Sequence, residues 1–222
     1  MSIAENIAAV EQTLHGTQAR LVVVTKTHPV ERLREAYAAG ARRFGENRVQ
    51  EMAAKQPELP PDVEWHQIGQ LQTNKVKYLA AFVHTVQSID SLKLLLELEK
   101  HAARHQRTIN GLLQFHIAQE ETKTGLNWAE AEAILQAPEY QQMRHVRLTG
   151  VMGIATNSPD EEIVRQEFQQ LKTYFEQLKS TYFARDEQFC EISMGMSADY
   201  PLAVAEGSTL IRVGSAIFGS RG

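Results

Sequence analysis

Cysteine is nearly absent from this chain: Cys190 is the only one in 222 residues. A lone thiol closes no intrachain disulfide, which excludes a disulfide-stapled secreted scaffold and points to a reducing, cytoplasmic setting. Long apolar runs are missing too. No stretch approaches the roughly 20 residues that span a bilayer, so no membrane association is expected. The opening MSIAENIAAVEQTL carries charge inside its apolar pattern and has no signal-peptide regions. Positive charge is not in excess, with 27 Asp and Glu against 23 Lys and Arg and a formal net charge of -4. The small cluster of Arg42, Arg43 and Arg48 has no interleaved aromatics, so nucleic acid is not an expected partner. There is no Walker A sequence, dinucleotide fingerprint or nucleophile elbow. His28 and His116 have no cysteine or carboxylate at metal-ligand spacing, so no metal centre is expected.

What the chain does have is alternation. Residues 2 to 18 read as an amphipathic helix, with Ser2 and Glu5 as a capping box and Ile3, Ile7, Val10 and Leu14 at helical spacing. Apolar strand candidates then follow at 21–25, 43–46, 65–69, 82–89, 109–117, 146–154, 189–193 and 210–213. Helices are expected between them at 30–39, 47–55, 71–78, 91–104, 128–136, 161–178 and 201–206. Prolines in KQPELPPDVE and polar residues in EETKTG mark loops. Unalternated apolar strands separated by helices indicate a parallel sheet covered on both faces. Eight units favour a closed (β/α)8 TIM barrel with an extra N-terminal helix, residues 1–222 forming one domain; a doubly wound open sheet is the alternative.

In such a barrel the C-terminal strand ends share one mouth. They deliver Lys26, Glu46 with Asn47, His66, Gln87, His116, Met152, Ser193 and Arg212. A lysine among mostly uncharged polar groups suits Schiff-base chemistry, because partial desolvation disfavours the ammonium. Read locally, a lysine leaving the core for solvent is the better reading of Lys26. The segments SMGMSAD at 193–199 and RVGSAIFG at 212–219 are small-residue turns after the last two strands. Their backbone amides and serine hydroxyls suit an anion, in the place where barrels bind phosphate; tight turns and caps are the plainer alternative. Arg212 interrupts an apolar run and needs an acceptor, either a heterocyclic nitrogen or a carboxylate such as Glu191. Cys190 is expected to be buried and inert, and His66 to be a core residue.

Eight segments carry a resemblance: VVVTKTHP (22–29), FGENRVQE (44–51), WHQIGQLQTNK (65–75), VQSID (86–90), QFHIAQEETKTG (114–125), GVMGI (150–154), SMGMSAD (193–199) and EGSTLIRVGSAIFG (206–219). In this order they span almost the whole chain, which resembles the pyridoxal-phosphate homeostasis family, single-domain relatives of the alanine racemase N-terminal barrel. The resemblance implies a fold-type III pyridoxal 5'-phosphate barrel with the cofactor held as a Schiff base on Lys26. It implies Arg212 opposite the pyridine nitrogen and a phosphate clamp from Ser193, Ser197, Gly214 and Ser215. Asn47 and Met152 correspond to residues lining the ring. The chain ends at Gly222 without the racemase β-domain, so the implied role is vitamin B6 and amino- and keto-acid homeostasis without robust turnover. A racemase-like enzyme and a regulatory interaction protein are the alternatives. The implied partners are the cofactor and amino acids; a monomer is expected, and no protein partner is indicated.

Overall fold

The computed structural model describes residues 2–120 and 124–219, so residues 121–123 of the expected polar loop lie outside it. The strands are β1 (Arg20–Val24), β2 (Arg43–Glu46), β3 (Glu64–Gln67), β4 (Thr85–Ile89), β5 (Ile109–Phe115), β6 (Val146–Gly153), β7 (Glu191–Met196) and β8 (Leu210–Val213). They pair in sequence order as a closed parallel barrel. At the seam β8 lies against β1, from Leu210 beside Arg20 to Val213 beside Val23, so no strand edge is left to aggregate.

The helices are α1 (Ile3–Leu14), α2 (Val30–Ala38), α3 (Val49–Lys55), α4 (Leu92–Arg104), α5 (Trp128–Gln136), α6 (Pro138–Gln141), α7 (Glu161–Thr181), α8 (Tyr200–Ala205) and α9 (Ser215–Phe218). The capping box of α1 forms as read, with Glu5 N donating to Ser2 Oγ and Ser2 N to Glu5 Oε2. Asn6 Nδ2 donates to the Ile217 carbonyl at 2.8 Å and ties this extra helix to the end of the barrel.

Successive strand residues face opposite sides, which sorts the core into two layers. Val23, Phe44, Trp65 and Val86 belong to the large layer between barrel and helices. Val22, Leu112, Met152 and Leu210 make a small apolar cluster of their own within the barrel.

Three segments differ from the sequence expectation. A short 3₁₀ turn, Thr73–Tyr78, replaces the helix expected at 71–78, because only Val76 in it is buried. Phe82 and Val83 donate back to the Leu79 carbonyl at 3.0 and 2.8 Å, which closes a helical turn and delays β4 to Thr85. β7 spans Glu191–Met196 rather than 189–193. Cys190 therefore precedes the strand and is exposed, not buried.

Candidate functional site

A cavity of about 410 Å³ opens at the C-terminal ends of the strands. Lys26 stands on its wall immediately after β1. The next residue, Thr27, has φ of 69°, a left-handed conformation that β-branched residues seldom adopt. A polar network behind the strand holds it there. Thr27 N donates to Glu51 Oε1 at 2.5 Å. Lys55 Nζ donates to the same oxygen at 2.6 Å, to Glu46 Oε1 at 2.7 Å and to the Thr25 carbonyl at 2.8 Å. Both peptide units flanking Lys26 are thus tied to one ammonium, that of Lys55, which is only 6% exposed. Burial pushes the Glu46 carboxyl up, while hydrogen bonds from Lys55 and Thr25 pull it down.

Arg212, on β8, is also on the cavity wall although only 4% exposed. Its Nη1 donates to Ser193 Oγ at 2.6 Å and its Nη2 to the Gly153 carbonyl at 3.0 Å. Burial lowers its pKa to about 10, with the Asp199 charge acting the other way, so the guanidinium stays cationic at neutral pH. Glu191, the carboxylate alternative, pairs with Arg20 instead.

From Arg212 a hydrogen-bonded chain runs down the barrel axis. A guanidinium only donates, so Ser193 accepts from it and passes its own hydrogen to Gln87 Oε1 at 2.6 Å. That leaves Gln87 Nε2 facing His66 Nδ1 at 2.9 Å. His66 is held well below the usual imidazole range, chiefly by burial and then by His84, Arg43 and Arg20. It is a neutral core residue.

At the mouth, the backbone amides of Gly214 and Ala216 converge on Ser197 Oγ, at 3.2 and 3.3 Å. Close approach favours glycine at 214, since a Cβ there would lie 3.1 Å from the Val24 carbonyl oxygen. Asn47, just after β2, also lines the cavity wall. Gln67 Nε2 donates at 2.9 Å to the carbonyls of both Asn47 and Gly69 and so fixes that wall. His28, also on the wall, packs on Phe218 with ring centroids 4.2 Å apart.

Lys26, Asn47, Ser197, Arg212, Gly214 and Ser215 therefore share one cavity. Ser193 and Met152 do not line it. Because β7 continues to Met196, Ser193 lies inside the barrel, fully buried between Arg212 and Gln87. Met152 is fully buried against the interior apolar cluster. Glu46 faces away from the mouth toward Lys55. The sequence reading did not mark Thr27, Glu51, Lys55 or Gln67; a buried lysine at the end of a short helix gives no local signal.

This geometry defines a class, the alanine-racemase-type barrel with a lysine after the first strand and an arginine in the last. The family described as alanine racemase, N-terminal domain, matches residues 1–222. Alanine racemase of Clostridium difficile shares the fold at a TM-score of 0.81 and 13% identity, over 99% of this chain and 60% of that one. Much nearer is the pyridoxal phosphate homeostasis protein of Pasteurella multocida, 36% identical over 100% of this chain and 98% of its own length. The Aquifex aeolicus protein of the same name is 38% identical over 91% of this chain and 87% of that one. The chain belongs to the pyridoxal phosphate homeostasis protein family. PipY of Synechococcus elongatus, solved with pyridoxal phosphate bound, superimposes at a TM-score of 0.87 with 39% identity, over 98% of this chain and 100% of that one. Solved without it, PipY gives a TM-score of 0.90 and 40% identity over the same shares of the two chains.

Proposed function

We propose that this chain binds pyridoxal 5'-phosphate at the barrel mouth, joined to Lys26 Nζ, and serves cytoplasmic vitamin B6 and amino- and keto-acid homeostasis as a monomer rather than as a catalyst. One observation carries the reading: Lys26, Arg212, Ser197, Gly214 and Ser215 bound a single cavity of about 410 Å³, within the range of about 300–1,000 Å³ typical of small-molecule sites. The residues fit this cofactor's three polar ends. Lys26 offers a primary amine. The Gly214 and Ala216 amides, with the hydroxyls of Ser197 and Ser215, offer neutral donors to a phosphate. Arg212 has only donors to present, which suits an unprotonated heterocyclic nitrogen. When bound, the cofactor supplies an aldehyde that condenses with a primary amine, with loss of water, and a ring that draws electrons from that carbon.

The protein's own groups favour holding over turnover. An arginine would leave the ring nitrogen unprotonated and the heterocycle a weaker electron sink than a pyridinium, a feature that does not by itself forbid turnover. Among the described residues that line the cavity there is no tyrosine, and Lys26, His28 and Arg212 are its titratable groups. The exposed large apolar side chains among the described residues, Tyr78, Leu96 and Met196, are scattered over separate elements, which supports a monomer.

Borohydride reduction of the cofactor-loaded protein, followed by peptide mapping, tests the assignment. The expected result is a stable adduct on Lys26, absent in Lys26→Ala. An adduct elsewhere, or an unchanged absorbance band in Lys26→Ala, would sink it. Loss of α-deuterium from a panel of amino acids separates carrier from enzyme; rapid exchange that depends on Lys26 would favour the enzyme.

A further inference from the structure

At the opposite end of the barrel, where the strands begin, a second cavity of about 80 Å³ contains a group of side chains with no part in the cofactor site. Glu64 and His66 lie two residues apart on β3, so both face inward. His84 stands at the start of the neighbouring β4, its amide donating to the Trp65 carbonyl at 2.9 Å and its Nδ1 2.8 Å from Thr85 Oγ1. One ligand atom from each of Glu64, His66 and His84 lies within 4.8 Å of the others. His66 Nε2 is buried and has no hydrogen-bond partner among the described residues, although the residue is only 2% exposed.

We propose that Glu64, His66 and His84 form a binding site for a zinc-type divalent cation on the barrel floor. Two imidazoles and one carboxylate are a zinc donor set, and a fourth position is left to water. Tetrahedral zinc with bonds of about 2.0–2.2 Å needs donors about 3.4 Å apart. Small side-chain rotations of Glu64 and His84, at the rim of the floor, close the remaining distance while His66 stays fixed in the core. Two arginines share this cavity, and each is already paired. Arg43 Nε lies 2.9 Å from Glu64 Oε2, which leaves the other carboxylate oxygen for the ion. Arg20 pairs with Glu191.

Gln87 completes the site. A histidine that ligates through Nε2 donates its Nδ1–H to an outer acceptor. Turning the Gln87 amide over presents Oε1 to His66 Nδ1 and Nε2 to Ser193, whose Oγ then accepts from both Arg212 and Gln87 and gives up Gln87 Oε1 as the acceptor of its own hydrogen. The sequence did not flag this site because its third ligand lies on another strand, 18 positions beyond His66, outside any ligand spacing read along the chain.

The test uses the full chain, stripped of metal with a chelator and titrated with Zn²⁺ against a chromogenic competitor. Co²⁺ replaces Zn²⁺ where a visible absorption is needed. One Zn²⁺ per chain is expected at micromolar concentration, with a tetrahedral Co²⁺ spectrum. Glu64→Gln and His84→Ala, rim substitutions that spare the buried core, should each weaken binding about tenfold or more, and His116→Asn at the other mouth should not. Gln87→Glu, an acceptor in either orientation, should tighten binding, and Gln87→Leu should weaken it about tenfold. Absence of binding in the wild type, or wild-type affinity in both rim variants, would overturn the proposal. Unchanged affinity in both Gln87 variants would remove His66 as a ligand.

Discussion

Lys55 is the side chain on which the placement of Lys26 depends most. Its ammonium is buried among Glu46, Glu51 and the Thr25 carbonyl, and breaking a buried ion pair by removing one partner typically costs about 3–5 kcal/mol. Lys55→Met is expected to lose stability of that order in urea denaturation, because it leaves the Glu46 carboxyl buried and uncompensated. Adding Glu46→Gln should recover part of the loss. The same variant should slow trapping at Lys26, since Thr25 and Thr27 lose their common tether. Equal trapping rates in Lys55→Met and wild type would refute the tether. At this scale the sequence was half legible. Lys26 and Arg212 stand out as charges ending or interrupting apolar runs. The Lys55 network is only partly legible there: Glu51 is its i,i+4 neighbour on one helix, but Glu46 and the Thr25 carbonyl come from two strand ends, and the unusual φ of Thr27 leaves no mark on a threonine.

Among the elements, α4 shows how helix and barrel are locked together. Glu99, on its inner side, accepts from the backbone amides of Arg144, His145 and Val146 at 2.8–2.9 Å and so clamps the entry to β6. Burial works to raise this carboxyl, but the backbone and His145 hydrogen bonds prevail and lower it. A depressed carboxylate stabilises the fold above its unfolded pKa near 4.5 and loses that contribution as pH falls through the folded value. Glu99→Gln is therefore expected to cost about 1–3 kcal/mol at neutral pH, with the difference from wild type shrinking below about pH 4.5 in matched denaturation curves. A gap that is constant with pH would contradict the clamp. An element boundary also explains where Ser193 lies. The apolar run at 189–193 suggests a strand ending at Ser193, yet pairing carries β7 to Met196 through Gly195, whose φ of 92° lets a strand bend where side chains would strain. Three extra residues move Ser193 from the mouth into the interior.

Over the whole molecule, eight apolar runs separated by helices were enough to indicate a closed barrel, because that periodicity is written into local composition. Closure also has a local requirement that composition does not show. A Cβ at Gly150 would lie 1.9 Å from the Glu191 carbonyl oxygen, so β6 and β7 can pair there only with glycine. Gly150→Ala is expected to destabilise the fold by about 3 kcal/mol or more, read from the thermal midpoint; a wild-type midpoint would show that the two strands can part without loss. Gly40→Ala, where a Cβ meets nothing within 4 Å but φ is 99°, should cost less, through backbone strain alone.

The hydroxyl of Ser197 bears on how long a ligand stays. The Gly214 and Ala216 amides already have an oxygen to bond, supplied by the chain itself, so an arriving phosphate gains only the difference between two acceptors. The same hydroxyl receives those amides when the phosphate departs, and the loop keeps its shape through the exchange. On the proposed function this is the behaviour of a lender: residence is set by the covalent joint at Lys26, and handing the cofactor on requires no part of the barrel to unfold.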